Sequence, residues 1–273
     1  MKEILTIMCL LILVVGISDS QAQENSDNTM VLVKTKFGNM KLELYNDTPE
    51  HKKNFLKLVN EGYYDGILFH RVIKNFMVQG GDPDSKDAEA GVRLGSGNPG
   101  YTVPAEFVPA HYHKKGALAA ARKPDSSNPD KRSSGSQFYI VHGQVVTNGT
   151  LDTMEMVLNN RAKNDFYKER FAEANEELND YRTNNDRDGF NARVAEIRAE
   201  TDSLWELQPL IQFSAEQRKV YTTVGGYPSL DHEYTVFGEL VEGFDVLDKI
   251  AAVETDRYDR PLEDIEMTME VIK

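Results

Sequence analysis

Residues 151–202 hold 13 acidic and 8 basic side chains, a single glycine and no proline. The chain has 19 glycines and 10 prolines, so the residues that punctuate it elsewhere are withheld from this stretch. A polar segment of this length with recurring apolar positions has one regular solution, the amphipathic helix. Tyr167, Phe171, Ala174, Leu178 and Tyr181 step by +4, +3, +4 and +3, and Phe190, Val194, Ile197, Thr201 and Leu204 repeat the pattern. Each set occupies one face of a helix. "TNNDRDG" (183–189) lies between them as turn residues, which predicts an antiparallel helical hairpin.

The flanks have a different texture. "MVLVKTKFGNMKLELY" (30–45) alternates apolar and polar on either side of Phe37-Gly38-Asn39, which predicts a β-hairpin. "DTPEHKKNFLKLVNEGYYDG" (47–66) predicts a helix, with Thr48 as N-cap, Pro49 at the first position and Gly62 at the end. Short strand-like runs with glycine-rich turns continue to about residue 142. Beyond the hairpin, Ser214-Ala-Glu-Gln217 is a capping box opening a shorter helix that ends near Gly225-Gly226. "EYTVFGELV" (233–241) predicts a strand, "GFDVLDKIAAV" (243–253) a helix, and "DIEMTMEVI" (264–272) a closing strand. There is no internal repeat. The reading is a mostly β domain with about two helices, interrupted by an α-helical insertion.

The first residues form a separate unit. Met1, Lys2 and Glu3 lead into an apolar run over residues 4–15. That length fits a signal-peptide core and falls short of the roughly 18–20 residues that span a bilayer. Ser20-Gln21-Ala22 offers small residues for cleavage after Ala22, and residues 23–29 form a polar leader. The expectation is an exported protein, periplasmic in a Gram-negative source or secreted, with no stable membrane anchor after cleavage. Cys9, the only cysteine, lies inside the run rather than after it, which argues against a lipid anchor and leaves no disulfide framework. A formal charge of −13 and a pI near 5.0 argue against a nucleic-acid partner.

The chemistry concentrates in "FHRVIKNFMVQGGD" (69–82), a His-Arg pair in an apolar run that closes on Gln-Gly-Gly-Asp. The stretch holds no cysteine or serine nucleophile and no metal-binding spacing. It resembles the central signature of the cyclophilin-type peptidyl-prolyl isomerases. "KKGALAAAR" (114–122), "SSGSQFYIV" (133–141) and "LDHEYTVFGELVEGFDVLDKIA" (230–251) resemble that family's later blocks, in the family's order. The resemblance covers about 30–142 and 214–273. It implies a closed eight-stranded antiparallel β-barrel capped by two helices, occupying 30–273 and interrupted by the helical insertion at about 144–213. The implied activity accelerates X–Pro isomerisation during folding of exported proteins, with unfolded or partly folded proline-containing chains as partners.

An X–Pro bond isomerises slowly because amide resonance sets a barrier of about 18–20 kcal/mol. Crossing it breaks no bond and needs only the nitrogen lone pair withdrawn from the carbonyl. A donor over the proline nitrogen favours the twisted form while an apolar pocket holds the ring, and each 1.36 kcal/mol removed is about tenfold in rate. Arg71 suits that donor, because a guanidinium presents several fixed N–H groups and stays charged. The resemblance gives Arg71 this role. It gives Phe76, Met77, Tyr139 and Leu230 the proline pocket, and Gln79 and Gln137 the tasks of orienting Arg71 and holding the peptide backbone. The resemblance also implies that Ala121 and Arg122 flank the neighbouring subsite, with the Arg122 main chain placed to bind substrate backbone, and that Tyr234 belongs to the substrate-binding set.

The chain departs from the common pattern at Tyr139 (often phenylalanine), Arg122 (often asparagine), Ser229 (often tryptophan) and Tyr234 (often histidine). No cofactor or metal is expected. His70 reads as structural, since the reaction has no proton transfer. His111 and His113 read as two imidazoles on one strand face without a third metal ligand. "GSGNPG" (95–100) reads as a loop beside the active site, lacking the lysine of a phosphate cradle. The competing reading is a non-catalytic proline-peptide-binding or holdase module on the same fold. Retention of Arg71, Phe76 and Gln79 favours the enzyme. The hairpin should project near the active-site end, either as an arm that gathers client chains or as a surface extension that packs on itself.

Overall fold

A computed structural model describes residues 29–272 of the protein. The signal segment, Cys9 and the polar leader up to residue 28 lie outside the described residues, while Thr29 already belongs to the first strand. The alternating N-terminal run forms β1 (Thr29–Thr35) and β2 (Gly38–Leu44), paired with Val31 opposite Leu42 and Val33 opposite Met40. There follow α1 (Pro49–Asn60), β3 (Ile67–Leu68), β4 (Arg71–Ile73), β5 (Met77–Gly80), β6 (Thr102–Val103), β7 (Ala117–Arg122) and β8 (Ser133–Val141). The insertion supplies α2 (Asn148–Glu173), α3 (Asn175–Thr183) and α4 (Arg187–Trp205). The chain ends with α5 (Ala215–Thr223), β9 (Val236–Glu242), α6 (Phe244–Ala251) and β10 (Glu266–Ile272).

Every ladder is antiparallel, and the order is β3-β10-β1-β2-β9-β7-β8-β5-β4, with β6 beside β8. The two ends of that order, β3 and β4, are separated in the chain only by Phe69 and His70. The sheet therefore curls until its edges nearly meet, giving a mainly β half-barrel with helices. The described residues carry ten strands where eight were expected, and none of their ladders pairs β3 with β4. Three of the ten, β3, β4 and β6, are segments of only two or three residues that touch the ladder briefly before turning.

The period of two in each strand sorts side chains onto two faces. Inside lie Val72, Val78, Phe138, Ile140, Leu118 and Phe237, in one core with Phe55 and Leu58 of α1 and Leu247 and Ile250 of α6. Those two helices are the expected pair. On the opposite face lie Met77, Tyr139, Val141, Ala117, Ala119 and Val236, a second and smaller cluster. Strand β8 is buried on both faces because each cluster claims alternate residues.

Helix α1 has Pro49 at its start, but Thr48 does not cap it, since its hydroxyl is buried without a hydrogen-bond partner. The cap comes from far away in sequence. The Glu106 carboxylate accepts the backbone N–H of Glu50 at 3.1 Å and of His51 at 2.9 Å, where a negative charge suits the helix dipole. At the other end Gly62 takes φ +65°, its N–H bonds Val59 O and that of Tyr63 bonds Leu58 O. This is a Schellman stop that a side chain at position 62 would strain.

The helical hairpin is present, with its first limb divided at Ala174, which neither proline nor glycine marks. Both α2 and α3 pack on α4. Of the predicted apolar faces, Leu178, Ile197 and Thr201 are buried while Leu204 is exposed. The Ser214–Gln217 capping box forms in both directions at the start of α5.

Candidate active site

Register assembles the site. Arg71 lies opposite Gln79, Gln79 opposite Tyr139, Tyr139 opposite Ala119, and Ala119 opposite Val236. Four ladders thus place one row of side chains across the outer face of the half-barrel. Residues two positions along the same strands, Met77, Gln137 and Ala121, share that face. The inner row, Val72–Val78–Ile140–Leu118, anchors the same strands in the core.

Of the predicted pocket residues, Phe76, Met77, Ala121, Tyr139, Leu230 and Tyr234 fall in the one outer apolar cluster. Arg71 stands at its edge, with its side chain 38 % exposed and its guanidinium 5.9 Å from the Phe76 ring centre. Nη1 donates to Gln79 Oε1 at 3.4 Å, and Nε lies 3.5 Å from Asp259 Oδ2. Gln79 Nε2 donates to Gln137 Oε1 at 3.0 Å, and Gln137 Nε2 donates to Gly95 O at 3.1 Å and Gly97 O at 2.7 Å. Arginine has no acceptor, so it fixes which way the Gln79 amide points, and Gln79 in turn fixes Gln137. The relay ends on the "GSGNPG" loop. Asp82 ties that loop from below by accepting the Gly95 N–H. A Cβ at Gly97 would sit 2.1 Å from Asp82 Oδ1, so this approach requires glycine.

A cleft of about 690 Å³ opens beside the apolar cluster, lined by Gln79, Ala121, Arg122 and Gln137 on one side and Gly95 and Tyr101 on the other. Ala121 belongs to both cleft and cluster, so the two adjoin. Arg122 commits its guanidinium to the rim: Nε donates to Glu233 O at 2.6 Å, Nη2 to Glu233 Oε2 at 2.9 Å and Nη1 to Asp125 Oδ1 at 2.5 Å. Its charge also stacks 4.7 Å over the Tyr234 ring. The Arg122 main chain lies opposite Ser133 at the end of the β7–β8 ladder. Lys131, then Arg122, hold the Asp125 carboxyl below its ordinary range. Arg161 of α2 reaches Asp125 and Glu233 at 3.8 Å each, so the insertion runs past this rim.

His70 is 3 % exposed, and burial pushes its pKa down to about 4, against the pull of Asp82. The ring is thus a neutral, buried group behind Arg71. The two histidines of the "HYH" triplet part company and lie outside any strand, correcting the shared strand face. His111 stacks on Tyr45 at 3.9 Å and bonds Asp47 at 2.6 Å. His113 turns inward to Asp231 and Tyr139. Burial raises the Tyr139 hydroxyl well above the ordinary tyrosine value, which keeps it protonated.

The sequence reading missed Tyr227, whose ring lies 4.4 Å from Phe76, and Asp259 beside Arg71. Neither carries a local signal, since each reaches the site from a loop remote in sequence.

The fold and this outer-face site define an antiparallel half-barrel with a cation at the edge of an apolar cluster. The family model described as cyclophilin type peptidyl-prolyl cis-trans isomerase/CLD matches residues 30–160 and 214–271. The chain belongs to that family of isomerases. A Streptococcus pyogenes relative, whose name pairs a phosphatase with a peptidyl-prolyl cis-trans isomerase, is 33% identical over 260 residues. That match takes in 92% of this chain and 41% of the relative, so the chain spans less than half of its length. A Staphylococcus saprophyticus relative named for the isomerase alone is 28% identical, with 88% of this chain and 90% of that protein covered. Among solved structures, a Cryptosporidium parvum cyclophilin-type isomerase superposes with a TM-score of 0.52 at 20% identity, covering 90% of this chain and 98% of that one. The same protein solved with the dipeptide Ala-Pro gives 0.50 at 21% identity, covering 89% and 99%.

Proposed function

We propose that Arg71 supplies the rate enhancement by donating an N–H to the nitrogen of the substrate proline while the ring rests against Phe76, Met77, Tyr139 and Leu230. The observation that carries this reading is the position of Arg71, an accessible cation held by the Gln79–Gln137 relay at the border of the apolar cluster. The donor stabilises the twisted amide, in which the lone pair resides on nitrogen, more than the planar one. That difference is what accelerates the step. Gln137 and the main chain at Arg122 hold the substrate backbone in the adjoining cleft beside Ala121, with Tyr234 in the neighbouring cluster under the Arg122 guanidinium. No covalent intermediate or metal enters the step. Two residues separate β3 from β4, which supports closure of the sheet into the expected barrel.

Exchange NMR of an Ala-Pro peptide tests this role. Arg71→Ala should cost at least about a hundredfold in kcat/KM, or about 2.7 kcal/mol, with the near-UV spectrum unchanged. A loss below about tenfold would remove Arg71 as the donor. A folded wild type without acceleration would leave the proline-peptide-binding module.

The clients in this reading are unfolded or partly folded proline-containing proteins outside the cytoplasm. Export rests on the apolar run at 4–15 and the small residues before Gln23. N-terminal sequencing of protein recovered from cells should begin at Gln23, and an intact Met1 would sink the export reading.

A further inference from the structure

Tyr221 of α5 belongs to two systems. Its ring packs with Leu151 and Phe213 at the root of the helical arm, the Phe213 ring centre 5.8 Å away. Its hydroxyl donates to Asp231 Oδ2 at 2.6 Å. The other Asp231 oxygen accepts twice from one residue, the His113 backbone N–H at 2.8 Å and ring Nδ1 at 2.9 Å. A ring whose Nδ1–H is committed to the carboxylate offers Nε2 as an acceptor whenever it is uncharged, and the Tyr139 hydroxyl stands 2.9 Å from Nε2. Tyr221 and His113 have no exposed surface, and Tyr139 and the Asp231 side chain have 5 % each.

This relay holds the Tyr139 ring through its hydroxyl. Rotating the Tyr139 ring away would leave Nε2 and the hydroxyl unpaired in a dry interior, and the loss would pass to a carboxylate that three donors now satisfy. One end of the relay is the Tyr139 ring in the apolar cluster. Asp231 directly follows Leu230, a second member of that cluster, in the short turn Pro228–Leu230. The other end is the foot of the arm.

We propose that Tyr221, Asp231 and His113 are positioning residues for the isomerase site, fixing the Tyr139 ring and the Leu230 turn and tying the proline pocket to the root of the helical insertion. The inference rests on the isomerase reading. None of the three touches substrate; they act through Tyr139 and Leu230.

The test is a double-mutant cycle on Tyr139→Phe and Tyr221→Phe, which keep both rings and remove one hydroxyl each. With kcat/KM read on an Ala-Pro peptide, each variant should lose about fivefold, and the double variant no more than the larger single loss. A purely structural role would lower melting temperature without this non-additivity. The ¹⁵N signal of His113 Nε2 in the wild type should lie in the range of an unprotonated acceptor and move in Tyr139→Phe. Losses that multiply, or single variants within about twofold of the wild type, overturn the relay. So does a protonated Nε2 in the wild type, which needs no variant and decides the matter even if Tyr221→Phe fails to fold. A wild type that does not accelerate exchange overturns the isomerase reading itself, and with it a positioning role.

Discussion

The half-barrel and the helical insertion are held together by different physics. The main core gathers 26 buried residues from nine strands, two helices and the turns between them, most of them apolar and nearly inaccessible. Across α2, α3 and α4 only Leu151, Leu178, Ile197 and Thr201 are buried. The arm relies instead on exposed ion pairs, such as Lys163–Asp202 at 2.7 Å and Arg193–Glu177 at 2.9 Å, with Arg193 also near Glu196 and Glu200. Surface pairs are weak and salt-dependent, whereas fully burying one large apolar side chain contributes about 1.5–3 kcal/mol. The difference teaches where rigidity is placed: under the Arg71–Gln79–Tyr139–Ala119 row, and sparingly in the element that passes its rim.

The contrast can be broken most forcefully in the core. Phe138 meets Phe55, Tyr64 and Phe69 edge-on at 5.6, 5.6 and 6.2 Å. Phe138→Ala should cost about 3–5 kcal/mol in urea unfolding, because the cavity it leaves has rigid walls. A cost below about 1 kcal/mol would mean that the barrel is no better packed than the arm.

Acid sharpens the same contrast, because all six histidines lie outside the insertion. His70 titrates near 4 when folded and near 6.5 when unfolded. Between those values the unfolded chain binds a proton that the folded chain refuses, so the contribution is complete above pH 6.5 and is lost as pH falls toward 4. The loss from His70 should reach about 3 kcal/mol at most, with buried His51 lowered in the same direction. Urea titrations at neutral pH and in mild acid measure it. His70→Gln should flatten the slope, and an unchanged slope would refute the assignment.

Salt has the smallest effect and should touch the arm alone. In about 1 M NaCl the screening length falls to about 3 Å. Amide exchange should then quicken several-fold in α3 and α4 while the protection of β7 and β8 stays level. Equal changes in both regions would erase the distinction drawn above.

Much of this was legible in the residues. The two stripes at 167–181 and 190–204 gave the hairpin, because a helix of this kind needs only local periodicity and the absence of breakers. Gly62 and the Ser214–Gln217 box gave helix ends for the same local reason. Thr48 misled, since a far carboxylate, Glu106, took the cap that local spacing assigned to it. The break at Ala174 and the two- and three-residue strands were likewise invisible, because no residue type marks them.

The site divides along the same line. The sequence by itself determined which side chains could share a face: alternation puts Met77 with Gln79, Gln137 with Tyr139, and Ala119 with Ala121. It also set a cation, Arg71, into an apolar run over residues 69–82. Only the tertiary structure decided that these strands align as Arg71–Gln79–Tyr139–Ala119. Register between segments 58 residues apart, as Gln79 and Gln137 are, is fixed by the common core beneath them and not by either segment alone. The same holds for His113, Asp231 and Tyr221, which spacing scatters and burial joins. Most polar atoms sealed from water find a partner wherever the fold supplies one, and here it comes from segments far apart in the chain.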